Sequence, residues 1–114
     1  MTINQYHIAL TEIENYTDRD AFVSDLSLSS AFPEESDLTE TVSELSMIWD
    51  AYHMTIRDLR TASGLSRMEF SRRFRIPIRT IENWECTGPN SRECPVYVRL
   101  LIAESIGLMP EVTP

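Results

Sequence analysis

Between residues 67 and 79 the segment RMEFSRRFRIPIR carries Arg67, Arg72, Arg73, Arg75 and Arg79 against Glu69 alone. Every basic side chain in the sequence is arginine and none is lysine. That choice suits flat, bidentate partners such as phosphate, guanine edges and carboxylates, although nucleotide composition bias gives the same pattern and weighs more. Past this patch, a helix that turns Ile81 and Trp84 inward leaves Ile78, Arg79, Glu82 and Asn83 outward, the arrangement needed by a helix laid in a major groove. There Arg79 can pair with guanine O6 and N7, Asn83 with adenine N6 and N7, and Ile78 can touch a thymine methyl. This is the chemistry of recognition, not of bond making. His7 and His53, the two histidines, have no predicted nucleophile partner, and the acidic residues scatter over solvent faces. The expectation is therefore a non-enzyme with no cofactor and no metal.

Short helices must position these side chains. Thr55-Ile56-Arg57-Asp58 forms a capping box that opens a helix ending at Gly64, and Ser66-Arg67-Met68-Glu69 repeats the box two residues later. The spacing predicts a helix to about Phe74, a turn at Arg75-Ile76-Pro77 and a helix through Trp84, the proline being tolerated in a first turn. Leu59, Leu65, Phe70, Phe74, Ile76, Ile81 and Trp84 supply one small core for the three helices. Residues 88–95 read as a loop, and Val96, Leu100, Ile102, Ala103 and Ile106 make a closing helix that ends at Gly107. In the first half, Ile3, Tyr6, Leu10 and Ile13 follow helical spacing over 2–14. A second short helix capped within 17–20 runs through Ala21, Phe22, Val23 and Leu26 to a loop at 27–36. Leu38, Val42, Leu45, Trp49 and Tyr52 mark a helix over 37–52. The fold class is all-α, and Trp49, Tyr52 and Met54 are expected to join the two halves into one integrated unit. The expected organisation is an acidic helical extension over 1–53, a recognition domain over 54–109 and a C-terminal tail over 110–114.

A chain of 114 residues with 42% hydrophobic and 25% charged residues is one domain's worth of foldable chain and excludes wholesale disorder. Its net charge of −8 divides unevenly: residues 1–53 hold eleven Asp and Glu against one Arg (−10), and residues 54–114 hold seven against nine (+2). The longest strictly apolar run is Leu100 to Ala103, and MTINQYHIALTEIE has neither a basic nor an apolar leader region. A chain that neither spans a membrane nor is exported is expected in the cytoplasm, and Cys86 and Cys94 are expected there as reduced thiols.

Residues 56–101 resemble the helix-turn-helix domain of the Xre/Cro repressor and antitoxin class. The resemblance rests on LR-x3-GLS-x2-EF at 59–70 and IP-x-RT-x3-WE at 76–85. It implies an Xre/Cro-like helix-turn-helix bundle with added N-terminal helices, acting on duplex DNA as a sequence-specific transcriptional repressor or autoregulator. Its place would be the bacterial nucleoid, or the host cytoplasm for a phage-encoded chain. By the same resemblance Arg67 falls where a backbone phosphate is held, and Arg60 and Glu85 fall where a structural pair braces the first helix against the third. Arg72, Arg73, Arg75, Thr80 and Arg92 are further phosphate candidates, with a solvated helix face an equal reading for the arginines. Pro77 and Ile78 depart from the usual polar cap and polar reader, and Cys86-Thr87-Gly88 lengthens the loop after the recognition helix. A homodimer through the N-terminal or last helices is left open. The acidic half would repel a duplex, so it must face away or meet something else. The alternative function is a protein-directed inhibitor of a phage or mobile element, anti-CRISPR-like and acting on a CRISPR-associated nuclease or its guide RNA complex, or a toxin-neutralising antitoxin. In either case the acidic half would engage a basic protein or ribonucleoprotein.

Overall fold

A computed structural model describes residues 1–33, 37–89 and 91–114; parts of the expected loops at 27–36 and 88–95 lie outside the described residues. Among those described, the regular elements are seven α-helices and one 3-10 turn, with no strand, so the fold is all-α as the sequence predicts. They are α1 (Ile3–Glu12), a 3-10 turn (Ile13–Asn15), α2 (Arg19–Ser27), α3 (Leu38–Tyr52), α4 (Ile56–Ser63), α5 (Arg67–Phe74), α6 (Ile78–Glu85) and α7 (Val96–Ser105). The chain divides into two compact units, Met1–Ala51 with Leu108–Pro114 (unit 1) and Tyr52–Gly107 (unit 2). The boundary after Ala51 lies two residues before the expected one at 53/54.

Unit 1 opens on a capping box that sequence reading passed over. Thr2 Oγ1 accepts from the Gln5 amide at 3.1 Å, and Gln5 Oε1 accepts from the Thr2 amide at 2.8 Å, satisfying two donors that the start of a helix leaves without partners. Asp18 caps α2 through the Ala21 amide. Phe22 is fully buried, with Tyr16 edge-on at 5.7 Å and Trp49 at 5.4 Å between ring centres. The buried stripe of α3 is Thr41, Leu45, Ile48 and Ala51. Leu38 and Val42, expected on that stripe, are exposed. The buried face of α3 is thus turned by about one residue from the face that bulk alone selects. Ile3, expected in the core of α1, is likewise exposed, while Ala9 and Ile13 are buried.

The segment expected as a C-terminal tail is part of this unit. The Ile3 amide donates to the Thr113 carbonyl at 2.9 Å and the Thr113 amide to the Met1 carbonyl at 3.0 Å, a short parallel bridge, and Met109 is buried.

In unit 2 both expected capping boxes are formed, Thr55 with Asp58 and Ser66 with Glu69, and Gly64 ends α4 in the left-handed conformation at φ 74°. The core comprises Ile56, Leu59, Phe70, Ile81, Cys94, Ile102 and Ala103. Leu65, Phe74, Ile76 and Trp84, expected to be buried, are half-buried around it, as are Val98 and Leu100 of α7. Helix α6 packs on α4 and α5, and α7 packs on α4. The Arg99 guanidinium on α7 donates to the Tyr52 and Met54 carbonyls, both at 2.8 Å, fixing the backbone that enters α4.

The turn between α5 and α6 depends on one unusual residue. Arg75 adopts φ 55°, the sole left-handed conformation of a non-glycine among the described residues, where a Cβ crowds the backbone. Ser71 holds the turn from below: its hydroxyl donates to the Ile76 carbonyl at 2.6 Å, and the Ile76 amide donates to the Ser71 carbonyl at 3.1 Å. Arg75→Gly is therefore expected to raise unfolding free energy by about 0.5 kcal/mol, relief of the crowding being partly offset by a more flexible unfolded chain. Urea unfolding of the two proteins side by side measures it.

Candidate nucleic-acid interface

Pro77 precedes the first residue of α6 and provides no side-chain cap; the Thr80 and Ile81 amides bond to its carbonyl at 2.9 and 3.2 Å. The helix is seated by its other face. Ile81 is fully buried and Glu85 nearly so, leaving Arg79 and Glu82 exposed with Ile78, Thr80 and Asn83 half-buried. Arg79 and Asn83 stand one helical turn apart, so both can address the same groove. The following loop folds back on the last turn of α6. The Asn83 carbonyl accepts from the Arg92 amide at 3.0 Å and from the Cys86 thiol at 3.3 Å. This anchors the Arg92 backbone beside α6 while its side chain remains exposed.

The remaining arginines divide by their surroundings. Arg72, Arg73 and Arg75 are exposed at the C-terminal end of α5, and the Arg73 guanidinium lies 5.3 Å over the Phe74 ring. Arg67, at the start of the same helix, turns toward Glu85 instead.

That glutamate is the electrostatic centre of unit 2. Its carboxylate is fully buried and accepts two bonds from Arg60, Nε to Oε2 and Nη2 to Oε1, both at 2.8 Å. The pair spans α4 and α6. Arg57 and Arg67 each bring Nε to 3.5 Å from Oε1 of the same carboxylate. The bond from Arg60, with the charges of Arg60 and Arg67, holds the Glu85 carboxyl below its ordinary range against the opposing effect of burial. Three guanidiniums around one carboxylate leave a local excess of positive charge, and Arg57 and Arg67 remain largely in solvent.

Arg57 is the functional candidate that sequence reading missed. Its signal was its position three residues before Arg60, which places both on one face of α4. Glu69 is held low, chiefly by the Ser66 amide that it caps. Cys94 is buried, which pushes its thiol up to about 11, and Cys86 is exposed; both are free. Among the described residues no three His, Cys, Asp or Glu side chains gather as metal ligands, and no helix is long and apolar enough to cross a membrane.

Comparison of the chain with protein-family models, with characterised proteins and with solved structures finds no match. The function therefore rests on the site itself.

Proposed function

We propose that unit 2 binds duplex DNA sequence-specifically and acts as a transcriptional repressor or autoregulator, with α5 and α6 as a helix-turn-helix of Xre/Cro type. The observation that carries the reading is the pairing of exposed Arg79 with half-buried Asn83 on the outer face of a helix whose inner face is locked by Ile81 and Glu85. Arg79, Asn83, Glu82 and Ile78 address base edges. Phosphates fall to Arg67 and Arg57 on one side and to Arg72, Arg73, Arg75, Thr80 and Arg92 on the other. The positive excess at Glu85 supports this assignment, because a phosphodiester there would replace a repulsion between guanidiniums with two charge-assisted bonds.

Fluorescence anisotropy with the DNA upstream of the protein's own gene and with a scrambled duplex, across a salt series, tests the reading. Wild type should prefer its own upstream DNA and weaken steeply with salt. Arg79→Ala should lose about 1–3 kcal/mol of that preference, and Arg57→Ala should lower the salt slope by about one while leaving the preference intact. Failure of wild type to bind either duplex at low salt overturns the proposal.

A further inference from the structure

Unit 1 carries twelve Asp and Glu and a single arginine, Arg19, with no lysine. That arginine is engaged by Asp50 in a bidentate pair at 2.9 and 3.1 Å, and the Met1 amino group lies 2.8 Å from Glu44. Of the five large apolar side chains exposed on this acidic body, three lie together: Leu28 at 76% exposure, Leu38 at 54% and Val42 at 38%, whereas Ile3 and Ile8 stand on α1. Two adjoining depressions of about 450 and 330 Å³, between the end of α2 and the start of α3, share Ser27, Leu28 and Leu38. Phe32 and Pro33 wall the first and Val23 and Val42 the second, which Asp20 and the Arg19 neutralised by Asp50 also line. Asp37 and Glu40, at the start of α3, are exposed and line a further depression that shares Phe32 and Thr41 with the first.

Grouped apolar exposure on an otherwise charged surface marks a place of association. The sign of the surrounding charge turns away nucleic acid and anionic lipid. The apolar floor, for its part, offers nothing to a purely ionic partner such as a polyamine. What fits both features is a chain segment with apolar residues on one face and arginine or lysine on its flanks.

We propose that the α2–α3 cleft of unit 1 docks a basic amphipathic segment of another protein, its apolar residues filling the two depressions and its cations meeting Asp20, Asp37 and Glu40. Charge complementarity of this kind speeds encounter, and the apolar floor sets how long the complex lasts. The docking function stands apart from DNA binding by unit 2 and does not depend on it.

An unbiased peptide display library, selected against the full chain, tests the proposal. Enriched peptides should be net positive, with apolar residues at three- and four-residue spacing. The most enriched one, synthesised and labelled, should shift amide resonances of residues 23–28 and 38–46 in a two-dimensional NMR spectrum. Leu28→Ser/Leu38→Ser should weaken its binding roughly tenfold, and Asp20→Asn/Glu40→Gln should flatten its salt dependence. All four positions are exposed, so the variants are expected to keep the wild-type thermal midpoint, and DNA affinity serves as a second control. Enrichment of neutral or acidic peptides alone, no enrichment, or equal binding by the double serine variant overturns the proposal. So does a wild-type dimer in sedimentation that Leu38→Ser dissociates, because a second copy would then occupy the cleft.

Discussion

Glu85→Ala is expected to cost about 3 kcal/mol of unfolding free energy, read from urea denaturation followed by tryptophan fluorescence. The side chain is fully buried, and its loss strands the Arg60 guanidinium, itself only 20% exposed, without the carboxylate that it pairs with. Arg57 and Arg67 are 60% and 45% exposed and turn readily to water, so Arg57→Ala should cost no more than about 0.5 kcal/mol. Arg60→Ala falls between, because the buried carboxylate then has two guanidiniums close enough to move in. A loss for Glu85→Ala as small as that for Arg57→Ala would show that the brace between α4 and α6 is not structural.

The same group gives stability a direction with pH. Glu85 releases its proton at lower pH in the folded chain than its ordinary value near 4.5, so the unfolded chain binds more protons in the window below that value. Its contribution is complete above about pH 5 and is lost as pH falls through the folded value. Glu85→Gln should flatten the acid limb of the stability profile and leave the slope above pH 6 as in wild type. Glu69, held low by its capping bond but exposed, adds a smaller contribution of the same sign.

Phe70→Ala is expected to cost about 4 kcal/mol, a large share of the stability of a domain this size. Phe70 is the one buried residue of α5, fully enclosed, with the Phe74 ring 4.7 Å away. An eight-residue helix has little stability of its own, so α5 persists because this ring anchors it. Under the proposed function, losing the anchor should also cost DNA binding at temperatures where wild type stays folded. Met68→Ala, two residues away and half in solvent, should change stability little and serves as the control. A loss of about 1 kcal/mol for Phe70→Ala would mean that α5 is held by its capping box and turn instead.

The elements around the proposed interface were legible because their signals are local. Thr55 with Asp58, Ser66 with Glu69, and Gly64 each name a helix boundary within four residues, and all three boundaries are present. Illegible features come from contacts between distant segments or from small side chains. Thr41 and Ala51 are small and give a weak hydropathy signal, yet both lie on the buried face of α3. The bridge between Thr2 and Thr113 has no periodicity to reveal it, and the gathering of Arg57 and Arg67 on Glu85 requires three helices to be placed first. The left-handed Arg75 escaped notice because arginine is an unusual choice for that conformation. Four residues of the expected core, Leu65, Phe74, Ile76 and Trp84, are apolar but only half-buried. Three short helices have too little interior to enclose every apolar side chain they carry.

The bridge that ties Thr113 to Met1 and Ile3 orders events on the ribosome. Unit 2 is continuous in the chain, from Tyr52 to Gly107, whereas unit 1 draws on segments to either side of it. At about 5–20 residues per second, the helices of unit 2 are all synthesised before the residues that complete unit 1. During that interval unit 1 lacks Met109, which is buried in the finished chain. The acidic unit is therefore the last to be finished, and its high negative charge keeps the nascent, incompletely covered core soluble while it waits.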